Sequence, residues 1–295
     1  MQNYVIGCGS TCDLSIEHIK SRNIEYIPFH YMMNDKTYDD DLWQSMESKE
    51  FYNAMVEGVE TKTAQINVDE ILNKLRPFLK EGKDVIFVSL SSGISGSYNS
   101  SRVAGEILEE EFPERKIYMI DSLAASSGYG LLIDMMADLR DEGMNIEDLA
   151  KWTEENKLNI QHWFFSTDLT FYIKGGRVSK TSGFIGSMLN ICPLLTVSSE
   201  GKLTTFSKIR GKKKVFNEIV SKMEEFALNG NDYDGKCYIS NSNCIEDANS
   251  VATLIENKFP NIKGKIKINP IGPTIGCHTG PGTVALFFVG SKRNK

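Results

Sequence analysis

Short apolar runs rich in β-branched residues alternate with helical stripes through the first half of the chain. Asp84 to Val88 is such a run, the pattern of a buried strand. Val103, Ala104, Ile107 and Leu108 then recur on one helical face. Tyr4 to Ile6 and Lys116 to Ile120 read as further strands, and Ile16 and Ile19 as the inner face of a helix capped by Asp13 or Ser15. Tyr26 to Tyr31 reads as one strand whose Pro28 prefers an edge or an end. Asn34 to Asp41 reads as an acidic loop, Phe51 to Val56 as a short amphipathic helix, and Thr61 to Gln65 as a hydroxyl-bearing loop. Ile71, Leu72, Leu75, Phe78 and Leu79 form a helical stripe with Pro77 at its last turn or a kink. Leu131 to Leu139 form another, and Asn145 starts one more. This alternation, from residue 4 to about 157, predicts a mostly parallel sheet flanked by helices.

The rhythm then changes. His162 to Thr167 reads as a strand. Leu194 to Val197 and Leu203 to Lys208 flank Ser199-Glu200-Gly201 as a hairpin. A helical stripe from Val215 to Phe226, a strand at Lys236 to Ser240, a helix at Glu246 to Asn257, and strands at Lys265 to Ile268 and Val284 to Val289 complete the chain. A hairpin mixed with α/β units predicts a second α/β domain with a mixed sheet. At 295 residues two domains are expected, residues 1–158 and 159–295.

Composition narrows the function. Hydrophobic residues are 41% and charged residues 24%, with a net charge of −6. That is a globular chain without the positive charge of a nucleic-acid binder. No apolar run is long enough to span a membrane. The start lacks the basic and apolar segments of a secretory leader, and the six cysteines are scattered without a CxxC. A cytoplasmic protein with reduced thiols is expected, with no metal, cofactor or stable membrane insertion.

Two loops carry the candidate chemistry. Ser89 to Tyr98 joins a strand to a helix, where free N–H groups and the helix dipole suit an anion. Ser10, Thr11, Thr61, Thr63 and Ser122 sit at other element ends, as a row of neutral donors along one sheet edge, or plainly as caps. Ile275 to Gly282 packs three glycines and a proline around His278, read as a tight loop presenting an imidazole. Lys174-Gly175-Gly176-Arg177 offers a cation on a turn. Lys202 to Lys214 holds six cations and no acid, as a solvated face or a dock for an acidic partner. Gly211-Lys212-Lys213 lacks the spacing of a phosphate-binding loop. Ser95, His278 and Asp121 could form a hydrolase constellation, although Gly93-Ile94-Ser95-Gly96 matches a nucleophile elbow only loosely.

Together these stretches resemble the DegV family, whose better-characterised members are fatty-acid-binding subunits of bacterial fatty acid kinase. The resemblance runs over the whole chain. It is carried by Ser10 to Leu14, Lys62 to Gln65, Leu90 to Tyr98, Ile120 to Ser122, Lys174 to Ser179, Gly186 to Pro193 and Cys277 to Gly282. It implies a long-chain fatty acid held between two α/β domains, with Thr63 and Ser95 bonding its carboxylate. Arg177, His278 and Thr279 would lie close by, directly or through water. Arg210 matches a basic position used toward a partner kinase, which phosphorylates the acyl chain; this chain itself would carry no catalytic residue. Gly9 stands where the family usually has Asp, Ala64 and Ile66 where it has Ser and Pro, and Ser97 where Thr is common. Phe164-Phe165, Phe184-Ile185, Met188-Leu189 and Leu286 to Phe288 could wall the acyl tunnel, or be plain core. Burying about 14 methylenes at ~0.8 kcal/mol each gives at most ~11 kcal/mol, less the cost of association. The alternatives are a serine acyl hydrolase using Ser95 and His278, and a binder of another small anionic metabolite.

Overall fold

The computed structural model describes residues 3–178 and 190–294. The chain opens with β1 (Tyr4–Gly9), α1 (Ile16–Ser21) and β2 (Ile24–Ile27), then β3 (His30–Met33), β4 (Lys36–Asp39), α2 (Ser48–Val56) and β5 (Thr61–Ala64). It continues through α3 (Val68–Lys80), β6 (Asp84–Ser89), α4 (Ser97–Glu111), β7 (Ile117–Asp121), α5 (Ser126–Asp141) and α6 (Ile146–Asn156). Strands β2-β1-β6-β7 form a parallel sheet in that order. β1 lies inside it and is buried along its whole length, as a strand covered on both faces must be.

Beyond residue 158 come β8 (Ile160–Ser166), α7 (Thr170–Lys174), β9 (Ile191–Val197), β10 (Leu203–Arg210), α8 (Lys212–Phe226), β11 (Cys237–Asn241), α9 (Ile245–Lys258), β12 (Lys267–Pro270), α10 (Pro273–Thr279) and β13 (Thr283–Val289). Six of these strands form a mixed sheet in the order β10-β9-β8-β13-β11-β12, with β11 and β12 parallel and the other pairs antiparallel. The α/β class and the two kinds of sheet are as the sequence pattern predicts.

α5 joins the two halves. Every residue from Ser126 to Asp134 is buried. A helix that is covered on all sides must lie inside the molecule, and α5 packs against β1 on one side and against β8, β11 and β13 on the other. Its Leu131, Leu132, Ile133 and Met136 belong to a core that also takes in Ile6 and Val88 of the parallel sheet and Phe164 and Phe287 of the mixed one.

Four local expectations change. Tyr26 to Tyr31 is not one strand: Pro28 separates β2, in the parallel sheet, from β3, which belongs to a small sheet ordered β4-β3-β5. Asn34 to Asp41 is not a loop throughout. Asn34 and Asp35 both take left-handed φ angles, 53° and 57°, as a tight hairpin turn requires, and β4 follows. Thr61 to Ala64 is a strand antiparallel to β3. Ile275 to Gly282 is mostly helix: Pro273 starts α10 and Gly280, at φ 63°, ends it.

Candidate functional site

A cavity of about 450 Å³ lies between the parallel sheet and the mixed sheet, within the ~300–1,000 Å³ usual for small-molecule sites. Most of its wall is apolar, with Phe29, Leu90 and Ile94 from the first domain and Phe164, Leu203 and Phe287 from the second. Strand alternation decides which predicted wall residues reach it. Phe164 and Phe287 face the cavity, whereas Phe165, Leu286 and Phe288 point into the core beneath α8 and α9. The predicted wall residues Phe184, Ile185, Met188 and Leu189 lie outside the described residues, as do Ser179 and Gly186 to Leu189 of the family-like motifs.

One end of the cavity is polar. Thr63, Ser95, Arg177, His278 and Thr279, the five sequence-predicted ligand residues, all line it. Four different elements supply them. Thr63 is on β5, Ser95 is in the loop entering α4, Arg177 follows the turn after α7, and His278 and Thr279 form the last turn of α10. The hydroxyl row is only partly a site. Ser10 Oγ accepts the Phe29 N–H at 3.0 Å, Ser91 Oγ donates to the Gly201 carbonyl at 2.8 Å, and Ser122 turns back onto Ala124. These three hold the fold, and Thr63 reaches the site from the small antiparallel sheet rather than from the parallel edge.

His278 sits at the centre of the polar end. Its Nε2 is 2.9 Å from Thr63 Oγ1, and its Nδ1 is 3.4 Å from Arg177 Nη1. Arginine has no acceptor, so Nδ1 must present its lone pair and the ring proton sits on Nε2. His278 therefore donates to Thr63 Oγ1, which leaves the threonine proton free to donate elsewhere. Burial, assisted by the Arg177 charge, pulls the His278 pKa down to about 4, which keeps the ring neutral. Arg177 is half-buried and also donates to the carbonyls of Ile94 (3.3 Å) and Gly175 (2.5 Å). Ser95 Oγ accepts the Ser97 N–H at 3.2 Å at the start of α4.

The structure does not join Ser95 to His278; the imidazole is bonded to Thr63 and faces a cation where a catalytic base needs an acid. Asp121 accepts from the backbone N–H groups of Ser92 (3.1 Å) and Leu123 (3.0 Å) instead.

Two departures from the family pattern meet in space. A Cβ at Gly9 would lie 2.6 Å from a Phe29 ring carbon and 3.2 Å from Ile66 Cδ1, so these two side chains fill the room a side chain at position 9 would need. Ala64 is exposed on the cavity rim. Sequence reasoning missed Gln65 and His162, which also line the cavity. Gln65 stands beside Thr63 in a motif singled out for its threonine, and its Nε2 donates to Ser100 Oγ at 3.2 Å. His162 is buried among aromatics; its Nδ1 donates to the Ile160 carbonyl and its Nε2 accepts the Ala125 N–H at 3.4 Å, at the start of α5. No local signal separates such a histidine from core.

Arg210 lies elsewhere, exposed at the end of β10. In its basic stretch Lys202 pairs with Glu200 (3.1 Å) and Lys212 with Asp247 (2.6 Å), so the run is not free of acids in space.

The family described as uncharacterised proteins of the DegV family matches residues 5–291. A DegV domain-containing protein of Clostridium perfringens is 35% identical over 293 residues, covering 99% of each chain. The chain belongs to the DegV family. Among solved DegV folds, that of DegV, a fatty acid binding protein from Bacillus subtilis, is similar with a TM-score of 0.82 at 25% identity, covering 99% of this chain and 100% of that one. The Streptococcus pneumoniae fatty acid kinase B3 protein loaded with linoleic acid shares the fold, with a TM-score of 0.82 at 24% identity, covering 98% and 99%. Among the described residues no helix is long and apolar enough to cross a membrane.

Proposed function

We propose that this protein binds a long-chain fatty acid in the cavity between two domains divided near residue 158, and that it presents the carboxylate to a partner fatty acid kinase in the cytoplasm. The observation that carries the reading is a cavity with an apolar wall and one polar end, where Thr63, Ser95, Arg177, His278 and Thr279 converge. The Bacillus subtilis DegV and the pneumococcal kinase protein, both fatty acid binders of the same fold, support it.

Each residue has a part. His278 donates to Thr63, so the threonine hydroxyl turns its proton toward the carboxylate. Ser95, whose hydroxyl donates to Ser97 Oγ at 3.2 Å, turns that proton to the carboxylate as a second donor at a helix start, where the dipole favours an anion. Hydrogen bonds to a charged group contribute roughly 1.5–3 kcal/mol each. Arg177 holds the tautomer of His278 and offsets the ligand's charge. The tail supplies most of the affinity by burial, and the hydroxyls fix its direction. Arg210, beside Lys212 and Lys213, meets an acidic face of the kinase. The kinase, not this chain, transfers the phosphoryl group.

Native mass spectrometry of the purified protein, followed by lipid extraction, tests the binding. A bound acyl chain, or uptake of added oleate, is expected; neither appearing overturns the reading. The docking role has its own test. Arg210→Glu should weaken coupling to the kinase while fatty acid affinity persists, and a parallel fall in both removes that role.

A further inference from the structure

Thr63 and Arg177 hold His278 from the side of its ring. The helix that carries it is held at its other end by something different. The N-cap of α10 is Gly272, which has no side chain to satisfy the free N–H groups of the first turn. Two aspartates from the first domain reach across instead. Asp13, in the turn after β1, accepts the Gly272 N–H at 2.9 Å, and Asp40, just past β4, accepts the Thr274 N–H at 3.3 Å. Both are buried, at 4% and 0% exposure. Among the described residues, no lysine, arginine or histidine pairs with either.

The approach is close enough to need glycine. A Cβ at position 272 would lie 2.9 Å from Asp13 Oδ1 and 3.4 Å from both carboxylate oxygens of Asp40. Asp13 is itself fixed from several directions. Ser126 donates to its Oδ2, and Ser127 donates to its carbonyl at 3.0 Å. Both serines bond to Ser240 of β11, at 3.0 and 2.7 Å. The web fixes Asp13 in a left-handed conformation, φ 48°, one that aspartate adopts more readily than most non-glycine residues. Two buried carboxyls without a cation are costly to keep; burial pushes Asp13 up to about 8 and Asp40 up to about 6.

What this costly arrangement grips is a short rod. α10 has seven residues, about 10 Å at 1.5 Å each. Its first turn carries Thr274 and its last carries His278 and Thr279, and all three line the cavity. Other contacts hold it too: Tyr52 donates to the Ile271 carbonyl at 2.8 Å, the Ile271 N–H donates to the Asn241 carbonyl at 2.8 Å, and Cys277 packs into the core around Phe51 and Tyr52. Those bonds hold the chain before the helix and its flank, and the two aspartates are the groups that engage the amides of Gly272 and Thr274 at the helix start itself.

We propose that Asp13 and Asp40 are positioning residues for the carboxylate site: by gripping the start of α10 they set where its last turn places His278 and Thr279. The inference rests on the reading of the cavity as a fatty acid site, and its test separates the two. The chain has four histidines, so the His278 ¹⁵N imidazole signals are assigned by comparison with His278→Ala. These signals are recorded without ligand for the wild type, the Asp13→Ala/Asp40→Ala double variant and the Asp13→Asn/Asp40→Asn double variant. Oleate affinity is measured on the same samples.

The alanine pair should shift the His278 signals toward a mixture of tautomers and weaken oleate binding about tenfold or more, the size of one lost charge-assisted hydrogen bond. The asparagine pair keeps an oxygen acceptor for each N–H, so it should restore the signals and most of the affinity. Unchanged His278 signals in the alanine pair overturn the proposal. If that pair does not fold, Gly272→Ala replaces it, since a methyl there would lie 2.9 Å from Asp13 Oδ1 and crowd that carboxyl off the Gly272 amide; the same two outcomes then decide. A His278 shift in a protein whose wild type takes up no oleate supports the positioning role and overturns the fatty acid reading.

Discussion

α5 and β11 meet twice across the domain seam, and a buried aspartate sits at each meeting. At the start of α5 Ser126 bonds to Asp13 and Ser240, among hydroxyls and amides alone. Two turns further on Asp134 is equally buried, at 2%, but faces charge. His18 Nε2 lies 2.7 Å from it, Lys236 Nζ 2.5 Å, and Tyr238 donates to it at 2.5 Å. The two carboxyls respond oppositely. Burial lifts Asp13 to about 8, with the Asp40 charge adding to it and the Ser126 and Gly272 bonds only partly offsetting it. Burial opposes ionisation of Asp134 too, but the bonds from His18, Lys236 and Tyr238 and the Lys236 charge outweigh it, and its pKa falls well below the usual carboxylate range. The difference is one of partners, not of depth. Charge pairs fasten α5 to β11 at Asp134, while hydroxyl and amide hydrogen bonds fasten them at Asp13, next to the cavity that Ser126 lines.

Breaking the charged end should have the largest effect. Asp134→Ala removes the buried carboxylate that His18, Lys236 and Tyr238 share, while Asp138 still pairs with Lys236 and Arg22; it should cost about 3 kcal/mol in urea unfolding, the low end of the range for removing one partner of a buried pair. Oleate affinity of the folded fraction should stay within about twofold, since sites without shared partners act independently. A loss below about 1 kcal/mol would place Asp134 among ordinary surface pairs and dissolve the contrast.

The next test uses pH. An unfolded aspartate ionises near pH 4, and Asp13 in the fold at about 8. Between those values the folded protein keeps a proton that the unfolded chain has lost, so this group's contribution falls as pH rises, by up to about 1.4 kcal/mol per unit. Asp40, raised to about 6, acts in the same direction. Asp134, lowered in the fold, contributes above about pH 4 and loses that contribution as pH falls through its folded pKa. The stability advantage of wild type over Asp13→Asn should therefore shrink from about pH 5 to about pH 8, and its advantage over Asp134→Asn should hold there and fall below about pH 4. Two flat profiles between pH 5 and pH 8 would mean that Asp13 is ionised in the fold, and the comparison would fail.

This contrast also marks how far the sequence could be read. Local signals found what local chemistry makes: the buried run of β6, the β9–β10 hairpin, the apolar run of β13, and the Gly-Gly-Arg and His-Thr-Gly stretches that bring Arg177 and His278 together. The β3–β4 hairpin was hidden because Asn34-Asp35 takes the tight-turn conformation without the glycine that usually announces it. α10 was hidden because its glycines resemble a loop. Asp13 reads as a helix cap beside Ser15, and Ser15 does accept the His18 N–H. The partners of Asp13 are Ser126 and Gly272, 113 and 259 residues away, and no spacing rule reaches so far. Asp134 likewise falls on a helix position whose cations come from α1 and from the start of β11.

The smallest effect sharpens the comparison by holding the ions and changing the depth. Asp138 is one turn beyond Asp134, contacts the same Lys236 and takes the Arg22 Nη2 at 2.7 Å, yet its side chain is 35% exposed against 2% for Asp134. Solvent screens its pairs, and its partners keep water when it is removed. Asp138→Asn should cost about 0–1 kcal/mol in the same urea measurement and less still at high salt, as exposed pairs do. A cost equal to that of the Asp134 variant would make the number of ion pairs the deciding quantity. The small value expected assigns the strength of the joint to the one carboxylate that water cannot reach.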